Sequence, residues 1–300
     1  MILRNFDEMR SCLSETGKVK SLTIAGSEDA HATEAAILAM RRGFVRPVFV
    51  GNAAATEAIL RELGENPDQH EIYNTNDNVI TGKKVIELVR EGKVDCILKG
   101  ALQTSELLKP VVNSETGIKK RKVLSHVTCL EIPEYHKVLC FTDGAMMIAP
   151  DFKQRLSILQ NGVDFLHKLG YECPKVAIIE ANEVVNPKIQ TSVEAAKFKE
   201  MYLSGEITGC VVEGPISVDL AVSKEVCEMK HYESAVGGDA DLLVAPFITV
   251  ISSIVKGLQI FAHAQTTGVV MGADVPILLV SRASSSQEKY DSILLGMLVS

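Results

Sequence analysis

Two cations in this sequence of 300 residues follow directly on short apolar runs. Arg282 stands behind Ser281 after Val275 to Val280, and Lys99 follows Val94 to Leu98. If those runs are strands, both charges lie at a strand mouth, where a planar guanidinium can grip an oxyanion with two N–H groups. Five segments that lead from apolar runs into helical stretches are rich in small and polar residues. They are Gly26 to Asp29, Lys99-Gly100 through Thr104, Glu213-Gly214-Pro215 through Asp219, Val236 to Asp241, and Ser281 to Ser285. Ligands of open α/β sheets sit beyond the carboxyl ends of strands, and helix N-termini there present free N–H groups and a positive dipole end to phosphate. Each turn alone reads equally well as an ordinary cap. Their pooling at one sheet edge is the signal. Asp239 and Asp241 form a D-x-D pair of the kind that ligates a divalent cation, although shaping a turn is the commoner fate of such a pair. Ser285-Ser286-Gln287-Glu288 is a capping-box pattern, so Glu288 is first a cap and second a proton acceptor. His126, His231 and His263 have no second ligand at metal spacing and read as structural. No G-x-G-x-x-G in the right context, P-loop lysine or G-x-S-x-G elbow is present.

The elements that must hold these residues repeat one pattern, a β-branched run, a turn and an amphipathic stretch. Leu22 to Ala25, Val45 to Val50, Val94 to Leu98, Lys175 to Ile179, Gly209 to Val212, Asp241 to Ala245 and Val275 to Val280 are nearly continuous in apolar residues, which predicts strands covered on both faces. Glu34 to Arg42, Thr56 to Leu63, Lys83 to Arg90, Phe152 to Leu169, Val193 to Leu203 and Ile254 to Ala264 have helical spacing. Alternation of the two predicts βα units and a largely parallel sheet with helices on both faces. Asp29 or Ser27 is expected to cap the first of these helices, and Thr191-Ser192-Val193-Glu194 reads as another capping box. The turn Glu131 to Lys137, with Pro133 between two apolar runs, is the best candidate for a domain crossing, with a return after about residue 266. The expected division is 1–132 plus 267–300 against 133–266. With 31 Lys and Arg against 38 Asp and Glu, the net charge is −7 and no basic stripe exists for nucleic acid. There is no Trp for a stacking platform, and no apolar run approaches the ~20 residues of a membrane span. The seven cysteines lack any C-x-x-C pair, which suits reduced thiols in a cytoplasm.

Taken in order, these turns resemble the phosphate acetyl/butyryltransferase family. The segments that carry the resemblance are Glu213 to Ser223, Val236 to Val244, Gly272 to Pro276 leading into Ser281-Arg282-Ala283-Ser284-Ser285, and earlier Leu98-Lys99-Gly100 with Thr104, Leu124 to Val127, Phe141 to Ala145 and Pro174 to Ala177. They cover nearly the whole chain collinearly. A length near 300 without an added N-terminal domain is closer to the butyryl branch. The resemblance implies two α/β domains with mostly parallel sheets and an interdomain cleft, an architecture shared with isocitrate and isopropylmalate dehydrogenases. It implies the exchange of a short acyl group between CoA and inorganic phosphate, with CoA a substrate and no metal or redox cofactor. It also implies a homodimer or higher homo-oligomer. Ser281 and Arg282 would hold phosphate or the acyl carbonyl, and Glu288 would accept the CoA thiol proton. Lys99, Gly100, Thr104, Gly214, Pro215, Asp219, Asp239, Asp241 and Ser252 complete the expected substrate contacts. Ile251 and Ser252 occupy the register of a usual Gly-Asn pair, and Ser284 that of a usual Asp. Two further readings stay open, a metal- and NAD(P)-dependent dehydrogenase on this architecture, and a catalytically silent CoA- or phosphate-binding homologue.

Overall fold

The computed structural model describes residues 2–280 and 285–300. In chain order the described strands are β1 Lys20–Ala25, β2 Val45–Gly51, β3 Glu71–Asn74, β4 Cys96–Lys99, β5 Ser125–Glu131, β6 Leu139–Thr142, β7 Lys175–Ile179, β8 Val211–Ile216, β9 Leu242–Val244, β10 Gln265–Met271 and β11 Ile277–Leu278. The helices are α1 Phe6–Thr16, α2 Ala30–Arg41, α3 Ala53–Glu62, α4 Asn78–Arg90, α5 Thr104–Val111, α6 Phe152–Lys168, α7 Gln190–Leu203, α8 Val218–Val222, α9 Lys224–Met229, α10 Ile248–Phe261 and α11 Ser286–Val299. The chain divides into two compact units. One comprises Phe6–Lys122 and Thr267–Ser300, here the outer unit; the other comprises Met1–Asn5 and Val123–Thr266, here the central unit.

In the outer unit the strand order is β3-β2-β1-β4-β11-β10, parallel except for the antiparallel β10–β11 pair. Leu22, Ile24 and Ala25 of β1 and Ile97 and Leu98 of β4 are fully buried, as expected of strands covered on both faces. Asp29 caps α2, its Oδ1 accepting the Ala32 N–H at 2.9 Å. Alanines at 32, 35, 36 and 39 make up most of the buried face of α2, and α11 packs against this helix. Small side chains permit that close approach while favouring the helix. Helix α11 is buried nearly all round from Lys289 to Met297.

In the central unit the order is β5-β6-β9-β7-β8, parallel except for β5 against β6. The Pro133 turn is the hairpin between these two strands, with Cys129 opposite Cys140. Leu130, Leu139, Phe141, Ala177, Ile216 and Leu243 form the core under the sheet. Burial of each larger side chain contributes about 1.5–3 kcal/mol. Gly170 and Gly205 end α6 and α7 with φ of 89° and 81°, the left-handed conformation that stops a helix and favours glycine. The Thr191 to Glu194 pattern does not cap α7. That helix starts at Gln190 behind Ile189, and Ser192 instead accepts the Asn186 N–H at 2.9 Å. No described helix is long and apolar enough to cross a membrane.

Candidate active site

The carboxyl ends of the outer unit's strands are built from interlocked turns. A Cβ on Gly100 would lie 2.2 Å from the Gly26 carbonyl oxygen, so the β4 turn can approach the β1 turn only without a side chain. The Ala101 N–H donates to that same carbonyl at 2.9 Å. Lys99 is buried, and its Nζ donates to the Gly100 and Leu102 carbonyls at 3.1 and 3.0 Å. It braces its own turn. Thr104 opens α5 and is exposed. Glu106, three residues on from Gln103, accepts the Gln103 N–H at 2.7 Å and the Asn78 amide at 2.9 Å.

Helix α11 begins at the same edge, following β11. Ser285 and Glu288 form the capping box, with the Ser285 N–H donating to Glu288 Oε2 at 2.9 Å and the Glu288 N–H to Ser285 Oγ at 3.2 Å. One residue on, Lys289 is buried and its Nζ donates to both oxygens of Asp29 at 2.9 Å. Ser286 Oγ donates to Glu34 at 2.5 Å and lies 3.1 Å from His31 Nδ1. The N-termini of α2 and α11 are thereby tied together. Ser281 and Arg282, with Ala283 and Ser284, lie outside the described residues.

In the central unit β6 leads directly into Asp143, a buried carboxylate to which the sequence alone gives no role. Its Oδ1 accepts the N–H groups of His126, Ala145 and Met146 at 3.2, 3.0 and 3.0 Å, and its Oδ2 that of Met147 at 3.0 Å. Burial pushes the carboxyl above its ordinary range, and the backbone donors offset only part of that rise. Its sequence signal was an apolar strand ending in Thr-Asp-Gly, a short acidic residue where a turn needs an acceptor. Gly214 sits where a Cβ would meet Ile178 Cβ at 2.7 Å, and the neighbouring Pro215 is buried. Asp219 is exposed near the start of α8; the neighbouring Ser217 hydroxyl and then Lys230, whose Nζ donates to Oδ2 at 3.0 Å, hold it below the usual carboxylate range.

Two expectations are corrected here. Asp239 and Asp241 precede β9, and a residue before a parallel strand stands at the amino edge, opposite the ligand edge. There Lys137 Nζ contacts Asp239 Oδ1 at 2.8 Å and Asp241 Oδ1 at 2.5 Å, Lys175 Nζ donates to Asp239 Oδ2 at 2.5 Å, and His136 lies 2.8 Å from Asp239. Burial raises the Asp239 carboxyl, but hydrogen bonds from Lys137, Lys175 and His136 outweigh it and hold the group well below its ordinary range. The pair is a structural ion cluster. Ser252 likewise caps nothing: α10 begins at Ile248 behind Phe247, so Ser252 stands a full turn inside the helix. Its neighbour Ile251 is fully buried against Gly144, where a Cβ would come within 2.7 Å of Ile251 Cγ2.

The sequence pattern of the phosphate acetyl/butaryl transferases matches residues 81–297. The chain belongs to this family. Among characterised relatives, the phosphate butyryltransferase of Clostridium acetobutylicum is 33% identical, with 99% of each chain covered. The phosphate acetyltransferase of Thermotoga maritima is 34% identical over 93% of this chain and 95% of its own. Among solved structures, a branched-chain phosphotransacylase from Enterococcus faecalis superposes with a TM-score of 0.82 at 31% identity, covering 93% of this chain and 98% of that one. The matched range contains the turns described above at Gly100 and Gly214 and the start of α11.

Proposed function

We propose that the protein catalyses acyl-CoA + phosphate ⇌ acyl phosphate + CoA, acting on butyryl or branched short acyl chains. The family match over residues 81–297 carries this reading. A phosphate oxygen attacks the thioester carbonyl in a ternary complex, a tetrahedral oxyanion forms, and the C–S bond breaks as the thiolate takes up a proton. Proximity of the two bound substrates supplies much of the rate, and no covalent enzyme intermediate is needed. Arg282 would stabilise the oxyanion, with Ser281 holding phosphate or the acyl oxygen. Given butyryl-CoA and phosphate, the protein is expected to release CoA measurable with a thiol reagent. No release with any acyl chain of two to five carbons sinks the proposal.

Glu288 would exchange the proton with the CoA thiol. An ordinary carboxylate and an ordinary thiol differ by roughly four pH units, or about 6 kcal/mol, so transfer must be concerted with bond breaking or aided by a cation that stabilises the thiolate. Because Gln serves a capping box as well as Glu, Glu288→Gln separates the two roles. The variant is expected to hold its melting temperature while CoA release slows about 10²–10⁴-fold. An unchanged rate leaves Glu288 a cap only.

A metal-dependent dehydrogenase is less well supported, since Asp239 and Asp241, the carboxylates it would use, are committed to Lys137 and Lys175. A silent binding homologue is favoured only by Ile251, and CoA release decides it. Seven free thiols suit a cytoplasmic setting. Ile260 and Phe261, 69% and 88% exposed at the end of α10, support a homo-oligomer.

A further inference from the structure

The mouths of β6 and β9 differ from the other strand mouths of the central unit. These strands pair in parallel, Thr142 beside Val244, so their carboxyl ends lie about 4.8 Å apart. β6 leads first into Asp143, whose buried carboxylate is taken up by four backbone N–H groups, and beyond it Gly144 to Pro150, like Ala245 to Val255 after β9, contains no charged residue. By contrast β7 leads into Glu180 and Glu183, and β8 into Asp219. The two uncharged segments meet, with the Ile248 N–H donating to the Ile148 carbonyl at 3.3 Å. Ile148 is 76% exposed and Phe247 42% exposed, and both stand where turns ordinarily carry polar residues. Met146 and Met147 are half-buried beside them, and their backbone is held by the Asp143 carboxylate. Beneath, Ile251 fills the space beside Gly144.

We infer that this apolar shelf receives the hydrocarbon tail of the acyl group, with Phe247 and Ile148 setting a preference for chains longer than acetyl. The inference rests on the acyl-transfer reading and adds the residues that select the chain. An apolar ligand group suits the site, because covering Ile148 and Phe247 removes exposed apolar surface from water. The position suits it as well, at the edge of the sheet where ligands of parallel α/β folds bind. The flexible thioethers of Met146 and Met147 can accommodate straight and branched tails alike.

The test compares kcat/KM for butyryl-CoA and acetyl-CoA in the native protein, in Phe247→Ala and in Ile148→Ser, with the melting temperature and sedimentation of each. Both side chains are exposed enough that the fold is expected to survive. In each variant the butyryl-to-acetyl ratio is expected to fall about tenfold, the discrimination typical of one or two methylenes in an apolar pocket. Turnover with an unmoved ratio overturns the shelf and leaves the acyl-transfer reading standing. An unmoved ratio with loss of an oligomer makes the surface a subunit contact, which also overturns it. No turnover of any acyl-CoA by the native protein overturns both.

Discussion

Replacing Arg282 by alanine is expected to slow CoA release by at least about 10²–10³-fold, the range found when a single donor to a developing oxyanion is removed. The reasoning starts from charge. A protein carrying −7 must bind phosphate and CoA, both anions, so the positive potential at the site has to be local. Lys99, the last residue of β4, has its ammonium hydrogen-bonded to the carbonyls of its own turn. In the sequence Arg282 is the other cation that follows an apolar run, and guanidinium is the group that matches the geometry of phosphate and tetrahedral oxyanions. Arg282→Lys is expected to recover only part of the rate, since an ammonium is a point charge without the planar fork. The thiol-release assay measures both variants. A loss smaller than tenfold in Arg282→Ala removes Arg282 from the mechanism.

The strands legible in the sequence were those buried on both faces. Leu22 to Ala25 and Lys175 to Ile179 read as strands because a continuous apolar run has few other uses at that length. Strand β3 was invisible because it is an edge strand of Glu71-Ile72-Tyr73-Asn74, with exposed residues at both ends. Helix α11 was legible only at its start, through the Ser285 to Glu288 capping box. Its extent was not, because from Lys289 to Met297 it is buried nearly all round and buries Lys289, Asp291 and Ser292 with partners, so no apolar stripe marks it. Of the site, the turns were legible because glycines and small polar residues after an apolar run have a geometric cause, seen in the 2.2 Å approach at Gly100. The start of α10 was not, because Phe247 is no capping residue and the helix opens without a side-chain cap. The D-x-D pair was misplaced although strand direction was available: a residue that precedes a parallel strand faces the amino edge whatever its chemistry.

That misplaced pair yields the second large effect. Lys137 is 2% exposed and bridges Asp239 to Asp241, itself almost fully buried, while also donating to the Asp239 carbonyl at 2.9 Å. Lys137→Met keeps the volume and removes the charge, leaving Asp241 with the Lys175 N–H at 2.7 Å as its remaining partner in the cluster. Breaking one side of a buried ion pair typically costs about 3–5 kcal/mol, because the surviving charge is desolvated and uncompensated. For a unit of this size such a loss lowers the melting temperature by roughly 10 °C or more. Adding Asp241→Asn to Lys137→Met is expected to restore part of it, since the stranded charge is then gone. The pH dependence has a definite sign. Asp239 is held below its unfolded value near pH 4, so its contribution to stability is complete above about pH 4 and is lost as the pH falls further. The native protein is therefore expected to lose melting temperature more steeply below pH 4 than Lys137→Met, which has already lost the first of the hydrogen bonds that depress this carboxyl. Equal slopes in calorimetry at pH 3 to 6 would show that Lys137 does not hold the Asp239 carboxylate. The cluster ties the amino ends of β6, β7 and β9 together, with the Asp241 N–H donating to the Lys175 carbonyl and the Cys140 N–H to that of Asp241. It thus fixes the strands whose opposite ends carry Asp143 and the apolar shelf.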